Sequence, residues 1–136
     1  MANAIYGKAR QAFANGQISW TGDTIKCVLI DTAAYTVAID THEFLGDIPA
    51  GARIGTPQTL TGKTNVLGVL DGADLSFTGL SAAPSLEALA IFHDTAVEGT
   101  SRLIAYIDTA TGLPVAAGAA QVDVTWDNGA NKIMKL

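Results

Sequence analysis

The residues best equipped for chemistry in this sequence are its aspartates, five of which are followed directly by threonine: Asp23-Thr24, Asp31-Thr32, Asp40-Thr41, Asp94-Thr95 and Asp108-Thr109. Two of these pairs end apolar runs, Val28-Leu29-Ile30-Asp31-Thr32-Ala33 and Ala105-Tyr106-Ile107-Asp108-Thr109-Ala110. Two carboxylates presented this way could share one proton and activate a water for hydrolysis. The competing reading is structural. Asp and Thr side chains accept or donate hydrogen bonds to nearby backbone groups, so the pair can close the chain where a strand stops.

The apolar-apolar-Asp-Thr pattern resembles the motif of aspartic proteases, which continues with glycine. Here Ala33 and Ala110 stand in that position and add a methyl where the catalytic loop is tightest. No apolar-apolar-Gly element supports either loop, so strand exit is the favoured reading. His42 and His93 lack a second ligand at metal-binding spacing and read as surface or turn residues. Asp127, Asn128 and Asn131 could surround a cation, but an Asp-Asn-Gly turn explains them without one. Gly62-Lys63-Thr64 matches only the end of a phosphate loop and leads into a strand where a helix is required. Cys27 lies inside the apolar run Ile25–Ile30 and reads as a packed strand residue. These residues predict no enzyme, no cofactor and no metal.

Composition bounds the remaining classes. The 136 residues suit a single domain spanning 1–136, and a chain of this length buries enough surface to fold without staples. Hydrophobic residues make up 49% and charged residues 15%, which is low against a typical charged share of about 25%. Two explanations stay open: partners cover apolar surface, or the count reflects alanine. A net charge of −5 with basic residues scattered from Lys8 to Lys135 argues against nucleic-acid and anionic-membrane partners. The N-terminal segment lacks a signal-peptide core and no apolar run is long enough to span a bilayer, so synthesis and folding in a cytoplasm are expected.

The elements that must position these residues are mostly strands. Ile5, Ala9, Ala12 and Phe13 form one stripe of an N-terminal α-helix within 1–16, with Asn3 as its N-cap and Asn15-Gly16 as its stop. The period then changes to two. Strands are expected at Thr24–Ile30, Gln58–Thr61, Thr64–Leu70, Leu75–Thr78, Leu86–His93, Arg102–Ile107, Gln121–Trp126 and Lys132–Leu136. Turns are marked by Asp71-Gly72, Thr111-Gly112-Leu113-Pro114 and Asp127-Asn128-Gly129, and the last should close a terminal hairpin. Residues 33–57 lack alternation and read as a long connection with one helical turn at His42–Gly46. The predicted fold is mainly β: an antiparallel β-sandwich or barrel-like domain of about eight strands with one N-terminal α-helix.

Three stretches carry a family resemblance: Met1 to Gly16 with Ile18-Ser19-Trp20 and Leu29 to Ala33, then Thr100 to Val115, then Val124 to Ile133. Over nearly the full length the chain resembles a widespread group of small phage virion proteins. That likeness implies a structural role, and the specific expectation is capsid decoration: a cement on the outer face of the head that stabilises the shell. It implies the major capsid protein as partner, a homo-oligomer with the trimer favoured, and a place on the capsid surface of the virion. Tyr35, Phe44 and Ile48, in the long loop, are the candidate interface residues, facing either the shell or a sister subunit. A tail or baseplate component remains an alternative. So does a receptor- or glycan-binding module, which would use Trp20, Tyr35 or Trp126 in an exposed groove.

Overall fold

The structure is a computed structural model that describes residues 3–80 and 84–136; Met1 and Ala2, at the start of the expected helix, lie outside it. The fold is mainly β with one helix near the N-terminus, as the sequence predicts. Among the described residues ten strands form three antiparallel sheets. In chain order they are β1 (Ala4–Ile5), β2 (Ile25–Ile30), β3 (Arg53–Thr59), β4 (Thr64–Val66), β5 (Val69–Asp71), β6 (Leu75–Phe77), β7 (Ala88–His93), β8 (Leu103–Ile107), β9 (Val122–Val124) and β10 (Met134–Lys135). The large sheet has the order β1-β8-β7-β2-β3, and the smaller ones are β10-β5-β4 and β6-β9.

The three central strands explain the apolar runs. Every residue of β8 is buried, and β2 and β7 are buried at all but one position each. Such strands have both faces covered and so read as continuous hydrophobic stretches instead of alternating ones. Ala105 and Ile107 face a cleft shared with β10, while Tyr106 lies near Tyr6 and Tyr35. Residues from all three sheets, the helix and the long loop join one hydrophobic core, which gives a sandwich-like layout.

The helix α1 is shorter than expected, Gly7–Ala14, because Tyr6 is still extended at φ −60° and ψ 136°. Asn3 is not its cap. Its Oδ1 accepts hydrogen bonds from the backbone N–H groups of Asp108 (2.8 Å) and Thr109 (3.1 Å), so it clasps the exit of β8. Ala4 and Ile5 pair with Tyr106 and Ala105 and extend the sheet. The C-terminus follows prediction. Gly16 is left-handed at φ 72°, Gly16 N–H bonds the Phe13 carbonyl and Gln17 N–H bonds that of Ala12, which together satisfy the last turn.

Residues 33–57 are not one loop. The helical turn expected at His42–Gly46 appears as two 3-10 turns, Leu45–Asp47 and Ala50–Ala52, and β3 already begins at Arg53. Alternation fails in β3 because it carries a bulge. Cys27 pairs with Gln58 and Leu29 with Ile54, so Gly55, Thr56 and Pro57 together oppose Val28. Pro57 is tolerated because β3 is an edge strand, and Gly55 adopts φ 75° with the Leu80 side chain packed where a Cβ would stand.

Two further expectations are corrected. The run Thr64–Leu70 is not one strand but the hairpin β4–β5, turned at Leu67 (φ 52°) and Gly68 (φ 80°). The terminal hairpin does not form either. β9 pairs with β6, and β10 with β5. Trp126 is held instead by the connection before β6: its N–H donates to Asp74 Oδ1 (3.0 Å) and its indole Nε1 to the Ala73 carbonyl (2.9 Å). Turn residues announce a reversal but not which strand the chain joins afterwards.

Candidate interaction surface

Three of the five Asp-Thr pairs mark strand ends. Asp31, Asp94 and Asp108 each follow the last residue of a strand, β2, β7 and β8 respectively. Asp31 Oδ1 accepts from Ala33 N–H and Asp94 Oδ1 from Ala96 N–H, both at 3.0 Å, which is the strand-exit turn the sequence predicts. Asp31 and Asp108 stand at the same end of the sheet but on strands separated by β7. Twice the strand spacing puts their backbones about 10 Å apart. A proton-sharing dyad needs carboxylates about 3 Å apart. Between them lies Glu87, which accepts a 2.7 Å hydrogen bond from the Thr32 hydroxyl and whose carboxyl is held below the usual range chiefly by that bond.

The other chemistry-bearing residues have structural partners too. His93 Nε2 lies 3.6 Å from Asp23 Oδ2, and His42 Nδ1 lies 2.8 Å from the Tyr35 hydroxyl. Cys27 is fully buried and desolvation pushes its thiol well up, away from the reactive thiolate. Lys63 donates to the Asp23 carbonyl, and Thr64 opens β4. Asp127 Oδ1 accepts from Gly129 N–H at 3.1 Å. Among the described residues no group of three His, Cys, Asp or Glu side chains gathers around a metal-sized space, and no helix is long and apolar enough to cross a membrane. Trp20 and Trp126 are buried, and Trp20 Nε1 donates to the Asp71 carbonyl at 3.1 Å.

The candidate interface residues fall in unexpected places. Tyr35 and Ile48 are buried in the chain's own core, and Phe44 is half-buried with the Arg102 guanidinium 5.2 Å over its ring. The long loop folds inward because the large sheet needs a cover on the Tyr106 side. Tyr35, beside Tyr6 and Tyr106, and Ile48 belong to that cover and are not presented as exposed anchors.

Exposed apolar surface concentrates elsewhere. Leu67 is 94% exposed, Val66 66% and Leu136 46%, and all three meet at one end of the three-stranded sheet. The Leu136 N–H bonds the Gly68 carbonyl at 2.9 Å and brings the C-terminus beside the hairpin tip. A shallow groove of about 490 Å³ runs along this end, lined by Val66, Leu67, Val69, Ala130, Lys132 and Lys135. The hairpin is itself well built. Asn65 Oδ1 accepts from Gly68 N–H at 3.1 Å and braces the turn.

Leu67 is the anomaly. The first central residue of a turn with two positive φ values is normally Asn, Asp or Gly, because a larger L-residue strains there. A leucine at that position is locally unfavourable and exposes almost all of its side chain to water. Both costs fall on the isolated chain, and contact with a partner would recover the second. The sequence hid this feature, because Val66-Leu67-Gly68-Val69-Leu70 reads as a strand by composition. The one available signal was Gly68. No protein-family model and no curated protein matches the chain.

Proposed function

We propose that this chain is a phage virion structural protein, most specifically a capsid decoration protein that cements the outer face of the head. The reading is supported by the resemblance over nearly the full length and by one structural observation: a charge-poor β-domain that projects a strained, exposed leucine from the tip of a braced hairpin. In this reading Leu67, Val66 and Leu136 seat on the major capsid protein. The shell is stabilised because binding to the assembled lattice adds its free energy to that lattice. The work is done by surfaces, without catalysis, and copies associate as a trimer.

The test adds purified protein to expanded heads that lack it. Saturable binding with hundreds of copies per head, and heads that withstand higher temperature when decorated, are expected. The Leu67→Asn variant should bind at least about tenfold more weakly, since it removes a large buried side chain from the contact. Failure to bind, or equal heat resistance with and without protein, overturns the proposal. A few copies located in the tail would move the protein to the baseplate.

A further inference from the structure

A second cleft, of about 380 Å³, adjoins the hairpin groove at Lys132 and Lys135 and opens between two strands that are both sheet edges, β1 and β10. We infer that this cleft is a docking groove for an extended, acidic segment of a partner protein. The inference uses neither Leu67 nor the virion reading, although Lys132 and Lys135 border both clefts.

Backbone parity supports an extended occupant. The Tyr6 N–H bonds the Ile104 carbonyl, and Ala4 pairs with Tyr106, so in an antiparallel ladder Ile5 turns its own N–H and C=O away from β8. On the facing strand Leu136 N–H bonds the Gly68 carbonyl, so Lys135 turns its backbone groups away from β5. Edges of this kind accept an added strand through main-chain hydrogen bonds, while side-chain pockets set preference. Ala105, Ile107 and Ile133 line the cleft and would receive small apolar side chains on alternate positions of the segment.

Charge selects the acid. The chain carries eight basic residues. Lys26, Arg53 and Arg102 are ion-paired with Asp94, Glu98 and Glu43, and Lys63 is bonded to the Asp23 carbonyl. Of the remaining four, three line this one cleft: Arg10, Lys132 and Lys135. Asp127 is the cleft's acid, with one of its oxygens engaged in its own turn. A protein of net charge −5 thus places three of its four uncommitted cations together, where carboxylates of a partner would neutralise them.

The experiment titrates 15N-labelled protein with an end-blocked seven-residue peptide alternating Val and Glu, and separately with its Val and Lys counterpart. Expected are saturable shifts confined to the amides of residues 3–5 and 131–135 for the Glu peptide only. Arg10→Glu, at an exposed helix position, should weaken that binding at least about tenfold without changing the remaining spectrum. Leu67→Asn should leave it unchanged. No saturable shift, equal binding of the Lys peptide, or indifference to Arg10→Glu overturns the inference. The same shifts produced by inorganic phosphate alone would reduce the cleft to a simple anion site. Concentration-dependent shifts at these amides without peptide would assign it to self-association. Either result also overturns it.

Discussion

The Tyr6 hydroxyl lies 2.8 Å from the Tyr35 hydroxyl, joining the residue before helix α1 to the loop that follows β2. Tyr35 in turn lies 2.8 Å from His42 Nδ1, with the two rings stacked at 5.4 Å, and the Ala38 N–H donates to the same nitrogen at 3.3 Å. A backbone N–H can only donate, so Nδ1 is an acceptor and the proton of His42 sits on Nε2. The chain therefore has a direction: Tyr6 donates to Tyr35, and Tyr35 to His42. Burial, the largest effect, and this donation both raise the Tyr6 phenol far above its ordinary value.

That direction predicts unequal costs for two conservative changes. Tyr35→Phe leaves the fully buried Tyr6 hydroxyl without its acceptor and should destabilise by about 1–3 kcal/mol. Tyr6→Phe leaves Tyr35 still bonded to His42 and should cost about 1 kcal/mol. Urea denaturation of both variants checks the order. Equal losses would mean that the hydroxyls do not form a directed chain.

At the hairpin tip, Leu67→Asn should stabilise the isolated domain by roughly 0.5–1 kcal/mol, because asparagine tolerates the left-handed backbone better and exposes less apolar surface. The same change weakens docking under the proposed function. A gain in Tm together with a loss of particle binding is the signature of a residue kept for contact, and a loss of Tm would mean that Leu67 supports the fold.

Gly112 adopts φ 107°, and a Cβ there would overlap the Asp123 carbonyl oxygen just before Val124. Gly112→Ala should therefore cost more than about 2 kcal/mol, combining backbone strain with a steric collision. Gly99, which has no heavy atom near its Cβ direction and no positive φ, supplies the control: Gly99→Ala should change stability by less than about 0.5 kcal/mol. Paired thermal melts distinguish the two.

Acid should destabilise the fold through carboxylates that the native state keeps ionised. Asp47 is held below its ordinary 3.8 by the backbone N–H groups of Glu43 and Phe44, and Asp94 below 3.8 chiefly by the Lys26 ammonium. A folded-state value below the unfolded one contributes stability that is complete above the unfolded value and is lost as pH falls through the folded one. Stability should thus stay level from neutrality to about pH 5 and decline below about pH 4. Asp47→Asn should lower Tm at pH 7 and flatten the acid limb, because part of that dependence has been removed. A variant with an unchanged acid limb would contradict the assignment.

Much of the framework was readable from residue patterns. The long apolar strands at Ile25–Ile30, Ala88–His93 and Leu103–Ile107 are run-on hydrophobic segments punctuated by Asp-Thr exits, and those local signals survive into the fold. The exposed leucine was not readable. Leu67 has a strand-former's neighbours, and its exposure depends on a turn that only Gly68 announced. Tyr35 and Ile48 misled for the opposite reason. Apolar residues in an irregular stretch look like anchors for a partner until the sheet they cover is known.

The sequence by itself determined the fold class, the helix stop at Gly16 and the places where strands end, because each depends on side chains and backbone within a few residues of one another. Tertiary structure alone decided which strands pair, which aromatic residues turn inward and which cations are left without partners. Those outcomes depend on contacts between segments far apart in the chain: Asn3 with Asp108, Asp74 with Trp126, Arg53 with Glu98. No local pattern encodes such partners, since the free energy that selects them comes from closing one shared core.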